Sequence, residues 1–370
     1  MLDLPIYLDH AATTFPDEAV IHAMSACMRA QPYNASAAYS AAGDARRIHR
    51  LARRRIAGML SCPPENLYFT SGGTEANNWI VRAFSGCHVV LSAIEHHSVL
   101  EPARAAGCRI TPTMPDGTGL VSPETIEAAI TPDTKLVCLQ AANNETGVIQ
   151  PIREVYALCK ARRIHLHVDA VQAFGHIPVD AGCCDSMSLS AHKLYGPRGV
   201  GALYVRSGAC VVPLLFGGNQ ESGMRAGTEN TPAICGFDVA AALAQEDMPE
   251  RADRERELLK SFIQQLKESI PEIMLLGEAR ARLPGVAALL LPGLSAEAVI
   301  AAMDLRGVMI SGGAACASRS GKPSHVYTAM GLSDKEAACV IRVSIGRHTT
   351  ADQLAYAADA LISLMREQAR

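Results

Sequence analysis

The stretch Ser188-Leu189-Ser190-Ala191-His192-Lys193-Leu194-Tyr195-Gly196-Pro197-Arg198-Gly199 joins an apolar run to side chains able to do chemistry. Met187 to Leu189 reads as a buried strand that ends in Ser190, His192 and Lys193 before a Gly/Pro turn. A lysine at the end of a buried strand is costly unless its charge is lost or paired. Condensation of its amine with an aldehyde cofactor removes that cost and stores reactivity. For this stretch taken alone, a surface lysine in a loop is the plainer alternative.

The other strands decide between the two. Leu67 to Thr70 reads as a strand, followed by Ser71-Gly72-Gly73-Thr74-Glu75-Ala76-Asn77-Asn78 and an apolar helix through Phe84. That order presents free backbone N–H groups and a helix dipole to a phosphate. The glycines, Gly73 among them, let the backbone come close, and Thr74 adds a hydroxyl. Predicted strands at His88 to Ala93, Lys135 to Ala142 and His165 to Asp169 run into Glu95-His96-His97, Asn143-Asn144-Glu145 and Ala170-Val171-Gln172. Thr74, His96, Asn144, Asp169, Gln172 and Lys193 thus all fall just past strand C-termini. In an open parallel sheet those ends share one edge, and ligands bind in the crevice outside it. The convergence favours the cofactor lysine.

With pyridoxal phosphate as the aldehyde, a carboxylate at Asp169 suits the pyridine nitrogen, which it would keep protonated so that the ring acts as an electron sink. His96 has the character to stack on the ring, and Thr74, Ser190 and His192 to hold the phosphate. Asp169 is alternatively a helix cap or a metal ligand, since alternation points His165, His167 and Asp169 to one face, although no fourth ligand suggests itself. Arg342 lies inside the apolar run Ile341-Arg342-Val343, and a buried guanidinium needs an anion. That anion is either a structural partner or the α-carboxylate of a substrate, gripped bidentately. In Ser311-Gly312-Gly313-Ala314-Ala315-Cys316-Ala317-Ser318-Arg319-Ser320-Gly321-Lys322, one cysteine sits among small residues, with Arg319 and Lys322 favouring its thiolate.

The elements that must position these groups fall into two parts. The chain has 370 residues, 49% of them hydrophobic and 19% charged, with net charge −3. That length exceeds a single core, and the balance argues against nucleic acid or an acidic tail. The N-terminus lacks the features of a signal peptide, and the longest apolar run, Val286 to Leu291, is far too short to span a membrane. Twelve cysteines without C-x-x-C spacing read as reduced thiols of a cytoplasmic protein. Alternating strands and helices predict an α/β large domain over residues 15–247 with a mostly parallel sheet. Residues 1–14 and 248–370 make a smaller α+β domain. Helices are predicted over Thr231 to Ala244 and Arg251 to Ile270, with a break between.

The motifs from Tyr7-Leu8-Asp9-His10-Ala11-Ala12-Thr13-Thr14 through Ser71 to Asn78, Glu95-His96-His97, Asn143-Asn144-Glu145, His167-Val168-Asp169-Ala170, Ser190-Ala191-His192-Lys193 and Arg225-Ala226-Gly227-Thr228-Glu229-Asn230 to Arg342-Val343-Ser344-Ile345-Gly346-Arg347 span almost the whole chain. The sequence resembles the cysteine desulfurases, in the class V branch of the aspartate-aminotransferase-like pyridoxal-phosphate enzymes. The resemblance implies the pyridoxal-phosphate-dependent transferase fold and conversion of L-cysteine to L-alanine, with a persulfide formed on Cys316. It implies Lys193 as the Schiff-base lysine, Asp169 as the pyridinium partner, Gln172 at the ring hydroxyl and His96 as stacking acid/base. Thr74, Ser190 and His192 would hold the phosphate, with Thr228 contributed by the other subunit of a homodimer. Asn144, which also lies against the cofactor, and Arg342 would hold the substrate carboxylate. The sulfur would pass to an acceptor protein, an iron–sulfur scaffold or a thiolation enzyme. A selenocysteine lyase or another class V aminotransferase is the alternative.

Overall fold

The computed structural model describes residues 5–30, 33–313 and 323–368. The chain opens with β1 (Ile6–Tyr7), α1 (Glu18–Ala30) and α2 (Ala42–Met59). There follow β2 (Leu67–Thr70), α3 (Gly73–Ala83), β3 (His88–Ser92), α4 (His97–Ala105), β4 (Arg109–Thr113), α5 (Pro123–Ala129), β5 (Thr134–Cys138), α6 (Ile152–Arg162), β6 (His165–Asp169), β7 (Ser186–Ser190) and β8 (Gly201–Val205). A seven-stranded sheet takes the order β2-β8-β7-β6-β5-β3-β4. Only β8 runs against its neighbours, so the C-termini of the other six share one edge. Strands β3, β7 and β8 are buried along their whole length. β3 and β8 accordingly read as largely apolar runs, as strands covered on both faces do, whereas β7 alternates serine with Met187 and Leu189 and buries its serines as well.

The rest of the chain begins with a helix whose first half packs into the core of the large sheet, and then builds a second layer. It comprises α7 (Thr231–Ser269), β9 (Met274–Leu275), β10 (Val286–Leu290), α8 (Ala296–Asp304), β11 (Val308–Met309), α9 (His325–Ala329), α10 (Asp334–Ala337), β12 (Val340–Ser344) and α11 (Ala351–Gln368). Strands β12, β10 and β9 form an antiparallel sheet. At the other end of the chain, β1 pairs with β11 in parallel, Ile6 opposite Val308. Ile6 and Leu8 are buried in one apolar cluster with Phe262, Leu289, Ile341 and Leu361.

The break expected between Ala244 and Arg251 is absent: α7 runs through Pro249 for 39 residues. Proline removes one helical hydrogen bond, yet the helix is held on both sides of it. Arg251 donates from Nε to Asp247 Oδ1 (3.2 Å), from Nη2 to the Gly175 carbonyl, and lies 3.5 Å from Glu255. The polar stretch that resembles a linker is a set of ion pairs on a continuous helix.

Candidate active site

A cavity of about 240 Å³ opens at the shared strand edge. Its wall includes Gly73, Thr74, His96, Asn144, Asp169, Gln172, Ser190, His192, Lys193 and Arg342. Asp169 is the last residue of β6, and Lys193 lies three residues beyond β7. Topology alone therefore places them on neighbouring strand ends.

Asp169 is buried and spans two donors. Its Oδ1 accepts from the Val171 N–H (2.9 Å) and its Oδ2 from Asn77 Nδ2 (2.7 Å). Asn77 also donates to Ser98 Oγ (2.8 Å), and Ser98 Oγ lies 2.7 Å from His96 Nδ1. The Ser98 N–H donates to the same ring nitrogen, which makes His96 the N-cap of α4. His96 Nδ1 is thus an acceptor, leaving Nε2 as the nitrogen available to the cavity. Burial holds the imidazole below its usual range; Asp169 pulls it up and Lys193 pushes it down. The ring is neutral at pH 7. His167 Nε2 lies 3.0 Å from Asn77 Oδ1 and His167 Nδ1 2.9 Å from Ser186 Oγ, while His165 Nε2 lies 2.8 Å from the same hydroxyl. Alternation does put His165, His167 and Asp169 on one face, but hydroxyls and an amide receive the histidines. Among the described residues no group of three or more His, Cys, Asp or Glu is arranged to hold a metal ion. Asn77 is the junction of this network. Its signal in the sequence is a polar side chain on the stripe of α3 that also buries Ala76, Ile80 and Val81.

Lys193 is held by the N-terminal segment. Its Nζ donates to the Ala11 carbonyl (2.6 Å) and the Ala12 carbonyl (2.7 Å). Gln172 Nε2 donates to the Ala11 carbonyl as well (2.8 Å). Behind the lysine, His176 Nε2 donates to the Lys193 carbonyl (2.8 Å). Ala11 and Ala12 join the cavity wall through their backbone, a role that the motif Tyr7 to Thr14 does not reveal in its side chains.

The cradle at the start of α3 follows from its glycines. Gly72 has φ +150° and no side chain caps the helix there. A Cβ on Gly73 would fall 2.5 Å from Val171 Cγ2, so the backbone approach beside the cavity requires glycine. The helix N-terminus meets Thr74, Ser190 and His192 in a second hollow of about 300 Å³ that continues from the first. Burial, then Lys193 and Arg198, depress the His192 imidazole to about 4, so it is neutral and its Nδ1 lies 3.0 Å from Thr13 Oγ1.

Arg342 is almost wholly buried in β12, its side chain 1% exposed. Its Nη2 donates to Asp9 Oδ1 (2.6 Å) and its Nη1 to the Asn144 carbonyl (2.9 Å). The anion that the buried guanidinium requires is therefore already in the fold, from the far end of the chain, while Arg342 also belongs to the cavity wall. Thr228 is exposed and lines neither hollow of its own chain. Its loop is tied back where Arg225 grips Glu75 through Nε (2.8 Å) and Nη2 (3.0 Å). Cys316 lies outside the described residues. On either side of it, Ser311 pairs with the Arg342 backbone and Ser324 Oγ donates to Glu145 Oε2 (2.6 Å).

A mostly parallel sheet thus brings Asp169, Lys193 and His96 together at its strand ends, beside a glycine turn at a helix N-terminus. The aminotransferase class-V family model matches residues 6–356, and the chain belongs to that family. Within it, the chain is 37% identical to the cysteine desulfurase IscS of Clostridium botulinum, over 98% of this chain and 95% of the relative. A solved NifS-like protein superposes with a TM-score of 0.92 at 30% identity, covering 98% of this chain and all of that one. SspA in complex with cysteine superposes at 0.81 with 32% identity over 93% of this chain.

Proposed function

We propose that the protein is a cysteine desulfurase dependent on pyridoxal phosphate: it converts L-cysteine to L-alanine and takes the sulfur onto Cys316 as a persulfide. One observation carries the reading. The residues named for that chemistry on sequence grounds line a single cavity, apart from Thr228 and Cys316. The names of its relatives and the cysteine bound to SspA support the substrate.

The donor set suits the cofactor. A buried carboxylate at Asp169, a lysine at Lys193 and a glycine cradle at a helix N-terminus match a pyridine nitrogen, an aldehyde and a phosphate. When bound, pyridoxal phosphate supplies the aldehyde for Lys193 and an electron sink for charge developing at Cα. Thr74, Ser190 and His192 would hold the phosphate end, and Thr228 would contribute to the neighbour's phosphate site in a homodimer. Asn77 fixes the Asp169 carboxylate, and through Ser98 it fixes His96. Gln172, which shares the Ala11 carbonyl with Lys193, would meet the ring hydroxyl. Arg342, with Asn144, orients the α-carboxylate, and Lys193 takes the Cα proton. His96, neutral and held at Nδ1, moves later protons at Nε2. The Cys316 thiolate attacks the substrate sulfur and the C–S bond breaks with its electron pair left on the substrate's β-carbon, where a proton completes the alanine; Cys316 is left as Cys–S–SH, whose outer sulfur passes to an acceptor protein.

The remaining proposals concern setting. A division into 15–247 and 1–14 with 248–370 is supported by the apolar cluster that joins Ile6 and Leu8 to the second half of α7, β10, β12 and α11, and its boundary falls inside that continuous helix. The eleven cysteines among the described residues are all free thiols, which suits a cytoplasmic enzyme. No helix among those residues is long and apolar enough to cross a membrane. The test is Cys316→Ser: the variant still changes its visible spectrum on adding L-cysteine, yet forms no persulfide and little alanine. Alanine at the wild-type rate would sink the reading and leave another lyase of the same family.

A further inference from the structure

Arg342 uses two of its five N–H donors on Asp9 and the Asn144 carbonyl. Its Nε is buried without a partner among the described residues. Asp9 does not line the cavity that Arg342 lines. The carboxylate therefore holds Arg342 from outside the cavity wall. Asp9 is itself held firmly, on the continuation of β1. It forms a parallel bridge to Ser344, at the end of β12, and the neighbouring His10 N–H donates to the Ser344 carbonyl (3.2 Å). The Asp9 carbonyl accepts from Tyr7 Oη (2.9 Å) and from the Ala12 N–H (3.0 Å). The acid and the arginine lie 333 residues apart in the chain and 2.6 Å apart in space.

We propose that Asp9 is a positioning residue for substrate binding: by gripping Nη2 from outside the cavity wall, it fixes the Arg342 fork so that the donors left over meet the carboxylate of an α-amino acid. The inference rests on the assignment of Arg342 to that carboxylate. A guanidinium is an arm of several rotatable bonds ending in a planar fork, and bidentate recognition depends on the plane of that fork. Without that acceptor, the fork is free to turn, and the resident anion that makes its burial tolerable is gone. The substrate then loses orientation at its carboxylate, while the groups that act on its Cα and sulfur are untouched.

The test compares steady-state constants of the holoenzyme. Asp9→Ala is expected to raise KM for L-cysteine about tenfold, with kcat held within about threefold, because bidentate orientation is lost and chemistry is not. Asp9→Asn keeps an acceptor oxygen opposite Nη2, so its KM stays within about threefold of wild type. In an Arg342→Lys background there is no fork to hold, and Asp9→Ala adds less than about twofold. If Asp9→Ala does not fold, Asp9→Ser, whose hydroxyl is too short to reach Nη2, is read by the same criteria. An unchanged or lowered KM in the alanine or serine variant, beside a raised KM in Arg342→Lys, overturns the role of Asp9 and leaves Arg342 standing. Equal losses from Asp9→Ala and Asp9→Asn, falling on kcat, would also overturn it. An unchanged KM in Arg342→Lys removes the assignment of Arg342 and the role of Asp9 with it.

Discussion

Lys193 and Arg342 face one cavity from two different sheets, and the N-terminal segment meets both. It meets them with different acceptors. Lys193 Nζ donates to the neutral carbonyls of Ala11 and Ala12; Arg342 donates to the carboxylate of Asp9. The difference matches what each cation must do. An amine that attacks an aldehyde and later takes a proton must be able to lose its charge, and neutral acceptors orient it without fixing that charge. A guanidinium never loses its charge, so its burial needs an anion and gains from one. One short segment thus prepares a losable charge and a permanent one.

The largest effect comes from making the losable charge permanent. Lys193→Arg should reduce turnover by at least about a thousandfold, since both nucleophile and base are removed. After reconstitution with pyridoxal phosphate it should lack the visible absorption of the wild type. A variant that keeps the band and turns over would break the comparison.

The reciprocal exchange is milder. Arg342→Lys keeps the charge beside Asp9 but loses the planar fork, so KM for L-cysteine should rise about tenfold, near 1.4 kcal/mol. An unchanged KM would make the Asp9–Arg342 pair structural only.

The smallest effect is on stability. The Lys193 side is backed by buried neutral histidines. Burial, followed by Arg251, lowers His176 to about 3, and burial lowers His167 to about 3 and His10 to about 4. In the unfolded chain each titrates near 6.5, so below that pH the unfolded state binds protons that the native state refuses. Stability should be flat for these groups above pH ~6.5 and fall from there toward pH ~4. Glu255, raised by burial to about 7, and Glu95, raised by burial and by Asp169, act in the opposite sense, but they are two groups against the larger set of depressed histidines, which includes His49, His165 and His192 as well. Urea midpoints at pH 8, 6.5 and 5 check this, and a midpoint that rises on acidification would contradict it.

What the sequence determined by itself is the strand-end set. Thr74, His96, Asn144, Asp169, Gln172 and Lys193 could be found without coordinates because strands alternate with helices, and a parallel sheet brings its strand ends to one edge whatever the side chains are. Gly73 was equally legible, since a strand, a Gly-Gly turn and a helix can hardly be arranged otherwise. Only the tertiary structure decided what holds these groups. The Ala11 and Ala12 carbonyls leave no trace in residue type, because every residue carries one. Asn77 reads as one more residue of a helix until the sheet beneath it supplies Asp169. The continuity of α7 depends on Arg251 reaching Gly175, and no local propensity across Pro249 contains that. The partner of Arg342 was legible as a need but not as a residue: electrostatics demands an anion for a buried guanidinium, and only the pairing of β1 with β11 beside β12 brings Asp9 to it.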